Sequence, residues 1–167
     1  MALLNILKYP DPRLHKVAEP VTCFNEELSS LIKNMAETMY ESKGIGLAAT
    51  QVDIHKRIIV IDISEEKNSL ITLVNPILKN YSGHQEYDEG CLSVPGFFET
   101  VKRYDLVSID YQDEHGQAKS LTADGLLSVC IQHEMDHLVG KVFVEKLSQL
   151  KQQRIKKKIS KLLRSGQ

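Results

Sequence analysis

The sequence predicts an α+β fold: antiparallel or mixed β-sheets around one central helix, with an N-terminal helix and a C-terminal helix on either side. Three observations carry this. Apolar residues recur at helical spacing in three separate stretches, over about 26–42, 125–138 and 148–163. Short β-rich runs are grouped between the first two stretches and do not alternate with helices, which argues against a βαβ chain. No repeat or low-complexity linker divides the 167 residues, a length that suits one domain with one core.

The first helix is expected to start at Asn25 as N-cap, followed by Glu26 and Glu27 at the positive end of its dipole. Leu28, Leu31, Ile32, Met35 and Met39 form its apolar stripe, and Gly44 stops the run. Strands are expected over Arg57–Ile63, Leu70–Asn80, Lys102–Tyr111 and Gln117–Thr122, with Ser82-Gly83 and His115-Gly116 as turns. Asp124 is placed as the cap of the second helix and Gly140 as its stop. Val142–Val144 reads as a further short strand. The last helix should bury a stripe of Leu150, Ile155, Ile159 and Leu162.

No apolar stretch approaches the roughly 20 residues that span a bilayer. The start, Met1-Ala-Leu-Leu-Asn-Ile-Leu-Lys, lacks the basic opening and long apolar run of a secretory signal, so the cytoplasm is the expected compartment. Cys23, Cys91 and Cys130 are odd in number and irregularly spaced, which argues against a disulfide framework. The net charge of −1 hides an asymmetry. Residues 151–167 carry seven basic groups and no acid, whereas residues 1–150 carry 14 basic against 22 acidic groups.

The strongest chemical signal is His133-Glu134-Met135-Asp136-His137 on the second helix. Histidines at i and i+4 share a helix face about 6 Å apart along the axis, so two imidazoles can reach one ion. Glu134 beside the first of them can take a proton from a water on that ion. The alternative is a pair of surface histidines. Leu126, Leu127, Val129, Cys130, Ile131, Leu138 and Val139 surround the motif, and two unpaired imidazoles there would cost desolvation energy.

A catalytic metal usually has three protein ligands and an open position. A glutamate about 20 residues downstream, as in one peptidase class, is missing: no acid follows Glu145. The extended His-x-x-Gly-x-x-His pattern finds Gly140 but meets Phe143 in place of histidine. Cys130 lies about 7.5 Å along the helix from the midpoint of the pair and is expected to line the pocket. Cys23 is expected in the core, and His15, His55, His84 and His115 on the surface. Cys91, in Asp88-Glu89-Gly90-Cys91-Leu92-Ser93-Val94-Pro95, sits on a fixed, non-helical backbone. It suits a thiolate ligand, and a nucleophilic cysteine is the alternative.

Three segments together resemble bacterial peptide deformylases: Gly44-Ile45-Gly46-Leu47-Ala48-Ala49-Thr50-Gln51, Glu89-Gly90-Cys91-Leu92-Ser93 and Gln132-His133-Glu134-Met135-Asp136-His137. The resemblance runs from Pro10-Asp11-Pro12-Arg13-Leu14 to the helical C-terminus. It implies removal of the formyl group from the N-terminal formylmethionine of new polypeptides, with release of formate. It implies Cys91, His133 and His137 as metal ligands with water in the fourth position, and Glu134 as general acid/base. It implies ferrous iron, which zinc, nickel or cobalt can replace in preparations; Cys-His-His ligation by itself points to zinc. It assigns the donors to the formyl oxygen to the Gln51 amide and the Leu92 backbone N–H.

By the same resemblance Ile45, Leu126, Val129 and Cys130 form the pocket for the methionine side chain, with Glu89 and Gly90 among the substrate contacts. Gly44 and Gly46 let the backbone approach a substrate closely. Gly96-Phe97-Phe98-Glu99 leaves two places for its phenylalanines, the rim of the cleft or the core. The basic tail is expected to dock on ribosomal RNA, against the alternative of a solvated helix face packed on the body. Neither DNA nor a membrane is an expected partner. Two other classes compete: a metallopeptidase cleaving ordinary amides, and a non-enzymatic RNA-binding protein with a structural metal.

Overall fold

A computed structural model describes residues 3–164; Met1, Ala2 and the last three residues of the basic tail lie outside that range. In chain order it forms a 3-10 turn at Pro12–His15, helix α1 at Glu26–Glu41, β1 at Gly46–Ala48 and a second 3-10 turn at Ala49–Val52. Strands β2 (Ile58–Ile61), β3 (Ile71–Ser82), β4 (Gln85–Cys91), β5 (Val94–Arg103), β6 (Leu106–Gln112) and β7 (Ala118–Asp124) follow. Helix α2 spans Gly125–Leu138, a third 3-10 turn Phe143–Lys146, and helix α3 Gln149–Arg164.

Five strands form one antiparallel sheet in the order β1-β2-β3-β6-β7, and β4 and β5 form a separate antiparallel pair. Strand β2 reads Ile-Ile-Val-Ile because both its faces are covered. Ile58 and Val60, with Leu47 of β1, pack under Met35 and Met39 of α1. Ile59 and Ile61, with Ala48, pack under Cys130, Ile131 and Leu138 of α2. The sheet is therefore held between the two helices, and each fully buried isoleucine contributes about 1.5–3 kcal/mol. In β3 a bulge falls at Asn75-Pro76, where Asn75 takes φ +53° and the ladder is interrupted. The Asn75 side chain accepts from Val21 N–H at 2.8 Å and donates to Gln112 Oε1 at 2.7 Å.

Several expectations are corrected. The run Lys102–Tyr111 is two strands, because the chain turns at Tyr104-Asp105 after sending Arg103 into the interior. Most of β4 and β5 lay outside the expected strands, since Gly90, Pro95 and Gly96 interrupt their pattern. Val142–Val144 enters a 3-10 turn, closed by Glu145 Oε1 accepting from Val142 N–H at 2.7 Å. Asp124 holds the N-cap position of α2, but its side chain makes no capping bond; the chain leaves β7 through Gly125 at φ +54° and leaves Asp124 exposed. Asn25 does cap α1, accepting from Leu28 N–H at 3.1 Å. Cys23 is exposed, because neighbouring Phe24 takes the packing position.

On α3 only Ile155 and Ile159 of the expected stripe are buried, against Leu7, Tyr9, Val101 and Phe143. Leu150 and Leu162 are exposed. Among the described residues no helix is long and apolar enough to cross a membrane.

Asp62 ties the loop after β2 to α1. Its buried carboxylate accepts from Tyr40 Oη at 2.7 Å, Ser64 Oγ at 2.5 Å and the N–H groups of Ser64 at 2.9 Å and Ser69 at 3.1 Å. Burial alone would raise its pKa, but the bonds from Ser64, Tyr40 and Ser69 outweigh it and bring it to about 2. A carboxyl held below its unfolded value of about 4 stabilises the fold above that value. The contribution fades as pH falls from about 4 towards 2. Asp62→Asn should therefore lower the urea midpoint at pH 7, and the gap from wild type should close near pH 2. Equal midpoints at pH 7 would contradict this account.

Candidate metal centre and active site

Helix α2 packs Cys130, Ile131 and Leu138 on the sheet and turns its polar residues His133, Asp136 and His137 to the β4–β5 hairpin, where they meet Glu89, Arg103 and Cys91. It carries His133 and His137 one turn apart, with ring centroids 5.0 Å apart. Cys91 ends β4, and a two-residue turn, Leu92-Ser93, returns the chain to Val94. This hairpin end brings Cys91 Sγ to 3.4 Å from His137 Nε2. One ligand atom from each of Cys91, His133 and His137 lies within 4.8 Å of the others.

Donors converge on Cys91, and burial favours the ligand form of His137. Ser93 N–H points to Cys91 Sγ at 3.4 Å and Gln51 Nε2 lies 3.5 Å from it, donors that suit a thiolate. His137 is wholly buried, and burial, with His133 next, lowers its pKa, so the ring is neutral and has a lone pair to give. Its Nδ1 is buried without a hydrogen-bond partner among the described residues. His133 Nδ1 lies 2.8 Å from Glu89 Oε1, which leaves Nε2 for an ion. A thiolate and two imidazoles converging with no fourth protein donor, among the described residues, fit a tetrahedral divalent ion with one open position.

Behind His133 stands a buried ion-pair network. Arg103 donates from Nε and Nη2 to the two Glu89 oxygens at 2.6 and 2.8 Å, and from Nη1 to Asp136 Oδ2 at 2.6 Å. The side chains of Arg103 and Glu89 are only 4% and 3% exposed, so the pair is desolvated. Burial alone would raise the Glu89 pKa; the bonds from Arg103 and His133 bring it to about 2. Glu89 borders the cleft, and its carboxylate is taken up by Arg103 and His133. Arg103 was not singled out in the sequence. The available signal was an arginine at the inward phase of an apolar strand.

Glu134 is buried beside the cleft, with Oε1 unpartnered among the described residues. Burial, more than any neighbour, pushes its pKa up to about 7. A group at that value takes and returns a proton at neutral pH. Gly46 must be glycine here, since a Cβ would come within 2.6 Å of Glu134 Oε2 and 2.9 Å of Cys130 Sγ. Cys130 itself is buried, and burial raises its thiol pKa, so it stays neutral; it lines the cleft.

The cleft, of about 560 Å³, is lined by Gly44, Ile45 and Gly46 on one side and by Tyr87–Leu92, Pro95, Gly96 and Phe98 on the other. Leu126, Val129, Cys130, His133 and Glu134 of α2 form the remaining wall. Leu92 packs its side chain so close to Gly44 that a Cβ there would lie 2.6 Å from it. Gln51 is buried: its Oε1 accepts from Ala48 N–H at 2.9 Å, and its Nε2 lies 3.2 Å from Ser93 Oγ. The expected site residues are therefore gathered around one centre, with Gln51 behind Cys91 rather than on the open wall. Ser93, which holds both Gln51 and Cys91, was not foreseen.

Comparison with known proteins gives one answer. The model of the polypeptide deformylase family matches residues 3–153. "Peptide deformylase 1" of Burkholderia multivorans is 58% identical over 166 residues, covering 99% of this chain and 92% of that protein. The peptide deformylase of Chromobacterium violaceum is 58% identical over 161 residues, 96% of either chain. The crystal structure of a Legionella pneumophila peptide deformylase superposes with a TM-score of 0.95 at 44% identity, covering 99% of this chain and 98% of that one.

Proposed function

The chain belongs to the polypeptide deformylase family and is an enzyme of that kind, and from this premise we propose that it hydrolyses the formyl group from the N-terminal formylmethionine of nascent polypeptides. The observation that supports this reading best is the convergence of Cys91, His133 and His137 beside a buried glutamate at the end of an apolar cleft. The ion these three residues would hold, ferrous iron in our reading with zinc, nickel or cobalt able to replace it, supplies a water acidified to near neutrality and a Lewis acid for the formyl oxygen.

The chain's own residues do the rest. Glu134 takes the proton of the attacking water and returns it to the amine as formate leaves. Gln51 Nε2, next to Cys91 Sγ, exchanges Ser93 Oγ for the formyl oxygen as that oxygen gains charge, and the Leu92 N–H donates alongside it. Leu126, Val129, Cys130 and Ile45 receive the methionine side chain. The peptide backbone passes between β1 and β4, each the outer strand of its sheet, where Gly44, Gly46 and Gly90 line the cleft. Iron-loaded protein, kept anaerobic, should release formate from formyl-Met-Ala. Release of a free amino acid instead would mark an ordinary peptidase, and no formate at all would overturn the reading.

We also propose that α3 docks the enzyme on ribosomal RNA. Lys151, Arg154, Lys156, Lys157, Lys158, Lys161 and Arg164 lie on its exposed surface, while Ile155 and Ile159 fasten it to the body. Deleting the helix would remove core residues, so the decisive variant is Arg154→Glu, Lys157→Glu, Lys161→Glu combined. It should lose ribosome co-sedimentation and the salt dependence of that binding, while turning over a short formyl peptide as wild type does. Undiminished co-sedimentation would sink the proposal.

A further inference from the structure

The two phenylalanines after the second motif part company across β5. Phe97 packs into the cluster of Ile155 and Ile159, Glu99 meets Lys151 at 3.1 Å, and Arg103 reaches Glu89, so this phase of the strand faces inward. Phe98 and Thr100 take the opposite face by alternation. Thr100 there donates to Asp88 of β4 at 2.6 Å. Phe98 is 70% exposed, yet its ring is held against the backbone of Gly90: a Cβ on Gly90 would lie 2.4 Å from Phe98 Cε1. It thus forms an apolar platform one residue from Cys91, on the border of the cleft.

Strand β4 pairs with β5 along one edge, and among the described residues its other edge has no strand partner. A peptide laid along that edge turns successive side chains to opposite faces. With the methionine side chain turned towards Leu126 and Val129 of α2, the next side chain turns to the face that carries Phe98. We infer that Phe98 is a specificity-determining residue that receives the side chain of the second residue of the formylated chain and favours a bulky apolar or aromatic one over glycine. This rests on the reading of the cleft given above.

The expected preference is about 3- to 10-fold in kcat/KM, the range of one aromatic contact at an open edge. Formate release is to be measured on formyl-Met-Phe, formyl-Met-Leu and formyl-Met-Gly amides with wild type, Phe98→Ala and Phe98→Leu. Wild type should prefer Phe over Gly by that factor, mainly through KM. Phe98→Ala should bring the ratio close to one, and Phe98→Leu should restore part of it. Each ratio is taken within one preparation, so metal occupancy cancels. A wild-type ratio near one, or an unchanged ratio in Phe98→Ala, overturns the inference while leaving the reaction in place. Absence of formate from every peptide removes the reaction and the inference with it.

Discussion

Glu134→Gln is expected to cut formate release by about 10²- to 10⁴-fold while the protein keeps its full metal content. The two halves of that result come from different parts of the site. Metal retention depends on Cys91, His133 and His137, and on the Glu89 and Arg103 groups that fix His133, none of which Glu134 contacts in a hydrogen bond among the described residues. Turnover depends on a proton being taken up and handed back. Glutamine has the same shape and fills the same space beside Gly46, so the pocket is not reshaped. It lacks only the capacity to be protonated and deprotonated near neutrality, which burial confers on the Glu134 carboxyl by raising its pKa to about 7. Formate assay and metal analysis on the same preparation check both halves. A variant retaining more than a tenth of wild-type turnover denies Glu134 its role, and one that loses metal makes the residue structural.

What could be read from the sequence follows from how local each signal is. The helix α1 and the metal helix α2 were placed within a residue or so of their ends, because their stops and apolar spacing, and the Asn25 cap of α1, are written in adjacent residues. His133, Glu134 and His137 sit within five residues, so their shared chemistry is equally local. The hairpin β4–β5 was mostly invisible: glycines and a proline that serve the cleft also erase the alternation by which strands are recognised. The Glu89–His133 contact joins residues 44 apart, and Arg103 joins Glu89 from 14 residues away. No spacing rule covers such pairs; they exist only once the hairpin is folded onto α2. Phe97 and Phe98 show the same limit, since their division between core and cleft depends on which face of β5 the rest of the fold covers.

Arg103→Leu is expected to destabilise the apoprotein by about 3–5 kcal/mol, because it leaves a desolvated carboxylate without its counter-charge. The mechanism is specific to Glu89, whose side chain is 3% exposed, whereas that of Asp136 is 24% exposed and keeps some water. Without the guanidinium, the burial that already opposes ionisation of Glu89 is answered by His133 alone, and its pKa rises from about 2. A carboxyl that spends time protonated holds the His133 ring less firmly and makes Nε2 a poorer donor, so metal affinity should fall about 10- to 100-fold. The two effects can be separated with Arg103→Leu combined with Glu89→Gln. The double variant buries no unpaired charge and should regain most of the lost stability, but it has no carboxylate for His133 and should bind metal as weakly as the single variant. Urea unfolding must be followed on metal-free protein, since bound ion would add its own stabilisation; affinity is read by competition with a chelator. A single variant within 1 kcal/mol of wild type, or a double variant that regains tight metal binding, would show that this buried pair neither steadies the fold nor tunes the metal site.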